Sequence, residues 1–118
     1  MKMIWAVIRP ESSQRVIDAM EKAGMSAMTR LPVTGYGKEL GITDQPVHYS
    51  EIPKEILMIV LPDNEVAKAV MIIRNEARTV SSTSTDEGTI DDGKIFVTYV
   101  DESFTIRATL KTIGAPGP

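Results

Sequence analysis

KMIWAVI, residues 2–8, is an apolar, β-branched run that reads as a strand. It is followed by Arg9-Pro10-Glu11 and then by Ser12 to Ala23, where Val16, Ile17, Met20 and Ala23 recur at helical spacing. Pro10 suits a first helical turn, because its missing N–H has no partner there in any case. Glu11 is favoured at the positive end of the helix dipole, and Gly24 stands where a left-handed C-terminal cap is wanted. A second strand is expected at about Ala27 to Thr34. The same order returns at EILMIVL, residues 55–61, with Pro62-Asp63 as punctuation and Val66, Ala69, Val70, Ile73 and Ala77 marking a second helix face. KIFVTYV, residues 94–100, supplies a further strand, and an extended piece at Phe104 to Arg107 is expected to close the domain. Two strand–helix–strand units pack most simply as an α+β, ferredoxin-like βαββαβ sandwich: a four-stranded antiparallel sheet with two helices on one face.

The chain has 118 residues, 42% of them hydrophobic, which is enough for one domain with a core of its own. The domain is bounded at 1–113, with 114–118 (Gly-Ala-Pro-Gly-Pro) as a flexible tail. The chain contains no cysteine, which excludes disulfides, thiol nucleophiles and cysteine-based zinc sites and suits a cytoplasmic location. No apolar run approaches the ~18 residues of a membrane span, and Met1 to Ile8 is too short for a signal sequence, so a soluble protein is expected. A net charge of −3 offers no general attraction for a phosphate backbone, and nucleic acid is not an expected partner.

Two segments interrupt the repeat. Residues 35–52 are longer than a hairpin connection needs and carry Gly35, Gly37, Gly41 and Pro46 without sustained periodicity, as a functional loop does. Residues 80–92 combine a Ser/Thr run with Asp86, Glu87, Asp91 and Asp92, and should be exposed. At the end of that segment, Asp92-Gly93-Lys94 meets an apolar strand. A glycine turn can aim backbone N–H groups at an anion while the adjacent ammonium adds charge, so the motif can cradle phosphate. An ordinary turn with a solvated lysine has the same spacing and is the commoner of the two.

Met28-Thr29, Val33-Thr34-Gly35-Tyr36-Gly37-Lys38, Pro53-Lys54, Ala77-Arg78-Thr79 and Asp92-Gly93-Lys94-Ile95-Phe96-Val97 fall in an order and approximate spacing that resembles the PII nitrogen-regulatory signalling proteins. The resemblance covers nearly the whole chain. Pro-Lys-Glu-Ile-Leu-Met-Ile-Val at 53–60 and Phe104-Thr105-Ile106-Arg107 look most like the branch found beside nitrogenase genes. The resemblance implies a homotrimer that binds ATP, ADP or AMP in clefts between subunits and acts through its long loop on a target protein, such as a nitrogen-assimilation enzyme, nitrogenase or a membrane transporter. No resident cofactor is implied; Mg²⁺ and 2-oxoglutarate enter as ligands.

Carried over residue by residue, Met28 and Thr29 would contact the base or ribose. Gly35, Gly37 and Lys38 would form the root of the loop over the phosphates, and Gly93, Lys94 and Arg107 would hold phosphate oxygens. Each has a plainer reading: core packing for Met28, a surface ion pair for Arg107. Lys54 matches a lysine that pairs with an oxoacid carboxylate in relatives. Glu39 stands where those relatives have a glutamine, and it can ligate Mg²⁺ but would repel a dicarboxylate. His48 and Tyr49 are expected to contact partners from the loop. A lone histidine beside Asp44 and Glu51 reads as structural, and no metal site is expected.

The segment 80–92 is longer than the family's compact phosphate loop, and Thr105 replaces an arginine that many relatives place on phosphate. Four carboxylates beside polyphosphate repel it unless a cation or basic partner intervenes. The expectation is a preference for ADP or AMP, or a need for Mg²⁺ with ATP. No serine, histidine and carboxylate constellation suggests catalysis, so the chain is read as a regulator and not an enzyme. The alternative is a ferredoxin-like metal-tolerance or structural trimer that binds no nucleotide. A third reading, an enzyme fragment or a small-ligand regulatory domain of a larger protein, is disfavoured because the chain is expected to begin and end at the edges of the fold.

Overall fold

The computed structural model describes residues 1–39, 48–79 and 92–107. The elements are β1 (Lys2–Ile8), α1 (Pro10–Lys22), β2 (Thr29–Glu39), β3 (His48–Leu61), α2 (Asp63–Ala77) and β4 (Gly93–Tyr99), and the four strands form one antiparallel sheet in the order β2-β3-β1-β4. This is the ferredoxin-like α+β arrangement expected from the two repeats.

Residues alternate in and out along β1: Ile4, Ala6 and Ile8 are buried, whereas Met3, Trp5 and Val7 are not. Leu57, Ile59 and Leu61 of β3 share the buried side by register and meet Val16 and Met20 of α1 and Ala69, Ile73 and Ala77 of α2. Both helices therefore cover one face, as a sheet with one apolar core requires. Arg15 ties the helices together, its Nε donating to the Glu76 carbonyl at 2.7 Å.

Local chemistry sets the element ends. Arg9, the residue before a proline, is extended at φ −67°, ψ 140°, and Pro10 is the first helical residue. Pro62 differs by one place, because it caps α2 from outside. Its neighbour Asp63 accepts a hydrogen bond from the Met1 ammonium at 2.7 Å. That bond, and the nearby charges of the ammonium and Lys2, hold the Asp63 carboxyl below its ordinary range.

α1 ends in a Schellman motif: Gly24 N–H donates to Glu21 O and Met25 N–H to Met20 O, both at 2.9 Å, with Gly24 at φ +84° and the Met20 and Met25 side chains buried. A Cβ at Gly24 would meet nothing within 4 Å. Gly24→Ala should therefore cost only the left-handed backbone penalty, ~1 kcal/mol, read as a lower urea midpoint with an unchanged slope.

Two expectations need correction. The long loop placed at 35–52 is, over its described residues, paired strand. β1 leaves β3 at Ile8↔Glu55, but β2 and β3 go on pairing from Val33↔Lys54 out to Glu39↔His48, forming a two-stranded arm about 20 Å long at ~3.3 Å per residue. Tyr36, paired with Glu51, donates its hydroxyl hydrogen to the Glu51 carboxylate at 2.9 Å. Prolines fit here, Pro32 on an edge strand and Pro53 where β3 has one neighbour. Phe104 to Arg107 does not form a strand: an isolated bridge at Ser103 gives way to a turn at 106–107. The remainder of the 35–52 and 80–92 segments, residues 40–47 and 80–91, and the tail at 114–118 lie outside the described residues.

Candidate functional site

An open cleft of about 760 Å³ lies between α2 and the start of β4. Ile8, Val70, Ile73, Ala77 and Ile95 line it with apolar groups, Arg74 and Arg78 bring positive charge to it, and Asp92, Gly93 and Lys94 complete its lining. Arg74 and Arg78 are four residues apart and so share one side of the α2 end. Such a cleft suits a ligand that is part apolar and part anionic.

Gly93 is the fixed point of this cleft. Its φ is +124°, and a Cβ built there would stand 1.9 Å from the Val7 carbonyl oxygen. Only glycine fits, both by conformation and by space. The sharp turn before Lys94 that the sequence suggested is thus present.

For Asp92 the structure supplies the basic partner that the expectation of repulsion left room for. Its Oδ2 accepts the Thr79 backbone N–H at 2.8 Å, its Oδ1 accepts the Thr79 hydroxyl, and Arg9 Nε lies 3.5 Å from the same oxygen. The side chain is only 14% exposed. Asp92 is therefore an engaged carboxylate at the base of the turn. Asp86, Glu87 and Asp91 lie outside the described residues.

The other expected site residues fall into three groups. Lys54 sits at the root of the arm, next to Glu55, which pairs with Ile8 in the row that also holds Gly93; Lys54, Gly93 and Lys94 thus occupy one end of the sheet. Gly35, Gly37, Lys38, Glu39, His48 and Tyr49 all lie along the arm, paired with Ile52, Ser50, Tyr49, His48, Glu39 and Lys38 respectively. Gly35 differs from Gly93 here: a Cβ would make ordinary contacts at 3.5 Å to Lys54 Cγ and 3.6 Å to Ile52 O, so the fold does not demand glycine there.

Met28 and Thr29 are elsewhere, at the start of the opposite edge strand, with β3 and β1 between them and β4. Met28 packs against the core, the plainer of its two readings, and Thr29 borders a small hollow with Met3 and Met58. Arg107 is exposed in the turn after Ser103. One chain does not bring Met28 and Thr29 together with Gly93 and Lys94.

Arg9, Arg74, Arg78, Thr79 and Asp92 were not among the expected site residues. Arg74 could have been found, since it precedes Arg78 by one helical turn. The Thr79 to Asp92 contact carries no local sequence signal. Among the described residues no group of three or more histidine, aspartate or glutamate side chains could hold a metal, and no helix is long and apolar enough to cross a membrane.

Residues 1–109 match the family model described as nitrogen regulatory protein P-II. The chain is 41% identical over 107 residues to the nitrogen fixation nifHD region GlnB-like protein 1 of Methanothermobacter marburgensis, covering 91% of this chain and 94% of that protein. It is 38% identical to the nifHD1 region GlnB-like protein 1 of Methanosarcina barkeri, covering 99% of each. Nitrogen regulatory protein P-II 2 of Methanothermobacter thermautotrophicus is 40% identical over 111 residues, with 91% of this chain and 90% of that protein covered.

Proposed function

The chain belongs to the nitrogen regulatory protein P-II family and resembles its nitrogenase-associated branch, and from that premise we propose a cytoplasmic, non-enzymatic homotrimer that binds adenine nucleotide between subunits and acts on a nitrogen-metabolism target through its arm. The Gly93-Lys94 turn carries this reading. It sets a positive-φ glycine and a lysine beside a cleft with apolar walls and two further arginines, which matches a ligand with a flat base and a phosphate tail.

The division of the expected site residues between opposite edges of the sheet supports a ligand held by two subunits. Met28 and Thr29 of one copy would meet Gly93 and Lys94 of the next. The sheet face opposite α1 and α2 supports the same assembly, since among the described residues Met3, Trp5, Ile56, Met58 and Phe96 share it. The arm root and the Gly93 turn are near neighbours, so nucleotide in the cleft can bias the arm's order and hence its docking on a target, be it an enzyme, nitrogenase or a transporter.

Calorimetric titration of ATP, ADP and AMP, each with and without Mg²⁺, tests the reading. Micromolar binding of at least one nucleotide is expected, with ADP or AMP favoured or ATP dependent on Mg²⁺, because Asp86, Glu87 and Asp91 add negative charge close by in sequence and Thr105 provides no cation. Tight ATP binding without metal overturns the preference. Absence of saturable binding by all three overturns the nucleotide reading and favours the structural trimer. Addition of 2-oxoglutarate to the MgATP titration tests whether Lys54 accepts a dicarboxylate despite Glu39.

A further inference from the structure

Three junctions of the chain meet at the Asp92 carboxylate. Thr79 lies two residues past the end of α2, Arg9 links β1 to α1, and Asp92 directly precedes β4. Both carboxylate oxygens are used: Oδ2 by the Thr79 N–H at 2.8 Å, Oδ1 by the Thr79 hydroxyl, with the Arg9 guanidinium 3.5 Å away. The Arg9 guanidinium also lies 3.8 Å from Glu11. The negative charge of Asp92 is thus matched locally and does not stand open to a ligand.

The consequence falls on the next residue. The β1–β4 ladder begins at Ile8↔Gly93, so the Arg9 to Asp92 contact carries the tie between these strands one residue past the last pair. Gly93 holds φ +124° immediately beyond that anchor, and Lys94 follows. Backbone N–H groups stabilise an anion only when their direction is fixed beforehand, since a loose turn must be ordered as the ligand binds.

We propose that Asp92, held by Thr79 and Arg9, is a positioning residue that fixes the Gly93-Lys94 turn for phosphate. The inference rests on the nucleotide reading above, but it opposes that reading's electrostatic intuition in sign. If Asp92 were a free acid beside phosphate, removing its charge would strengthen binding. As an anchor, removing it weakens binding.

ADP affinity is measured by calorimetry for the wild type, Asp92→Asn, Arg9→Gln, their double variant, Thr79→Val and Thr79→Ser, with the melting temperature of each recorded without ligand. Asp92→Asn and Thr79→Val are expected to weaken ADP about tenfold or more, equivalent to ~1.4 kcal/mol. Thr79→Ser keeps the hydroxyl and should bind ADP within about twofold of wild type. The double variant should be little weaker than the worse single one, because the two residues act through one contact. A purely structural role would lower melting temperature while leaving the affinity of folded protein unchanged, and that result overturns the proposal, as does tighter binding by Asp92→Asn. Should Asp92→Asn fail to fold, the Thr79 pair decides alone. Should the wild type bind no nucleotide, the functional reading falls separately, and the anchor is judged by amide exchange at Gly93 and Lys94. Exchange there should quicken about tenfold in Thr79→Val, and unchanged exchange overturns the anchor.

Discussion

Gly93→Ala is expected to be the most damaging conservative substitution in the chain, lowering stability by about 4 kcal/mol and abolishing nucleotide binding by whatever remains folded. Two costs add. The left-handed backbone at φ +124° penalises a side chain by ~1–3 kcal/mol. The new methyl would also stand 1.9 Å from the Val7 carbonyl oxygen, which is backbone within the central strand, and forcing such groups apart costs a further ~1–3 kcal/mol. Relief is available only by separating β4 from β1 at the first pair of their ladder, the place where Lys94 is set. Thermal unfolding should show a fall of roughly 15 °C or more, on the basis of ~4–8 °C per kcal/mol for a domain near this size. Gly35→Ala serves as the control, since its contacts of 3.5 and 3.6 Å are ordinary and its change in stability should stay within about 0.5 kcal/mol. Equal behaviour of the two variants would remove Gly93 from the centre of the site.

The contrast between these two glycines also marks what could be read from sequence. β1, α1 and Gly24 were legible because each is fixed by local signals: an apolar run, a proline at the first turn, a left-handed cap. The four-stranded antiparallel sheet with two helices on one face followed from repetition of that unit. The arm was not legible. Gly35, Gly37, Pro53 and the absence of alternation all argue for loop, and what overrides them is the pairing of β2 with β3, a contact between segments that each look irregular alone. Gly93 was recognised as a turn, but its need for glycine comes from Val7, far away in the chain. The partners of Asp92 are illegible for the same reason: composition shows four acids near one another, whereas Thr79 and Arg9, which engage one of them, come from other junctions of the fold. Charge counted along the sequence does not say which charges are already matched.

Trp5→Glu and Met58→Glu should convert a trimer to monomers, the second large effect expected. Trp5 and Met58 are directly paired across β1 and β3, and Phe96 pairs with Trp5 from the other side, so one row crosses the face opposite α1 and α2 with three large apolar groups. Phe96 remains 52% exposed, and the Trp5 indole N–H already donates to Thr98 Oγ1 at 3.0 Å, leaving the ring free to pack without an unsatisfied donor. An apolar face of this breadth calls for a partner, and the proposed trimer would cover it with two further copies of the same face in closed symmetry. A carboxylate buried in an interface without a cation opposite it costs ~3–5 kcal/mol per copy. Symmetry repeats the cost in each subunit, roughly 10 kcal/mol per trimer, which is about seven powers of ten in the assembly constant at ~1.4 kcal/mol each. Light scattering reads the outcome directly: three chain masses for the wild type, one for either variant. Met71→Glu, on the solvent side of α2 and 57% exposed, should leave the mass unchanged. If the proposed two-subunit site holds, nucleotide affinity should fall with the trimer, because within one chain Met28 and Thr29 lie at the edge of the sheet opposite Gly93 and Lys94. A monomeric variant that still bound nucleotide with wild-type affinity would confine the site to the cleft between α2 and β4 of a single chain.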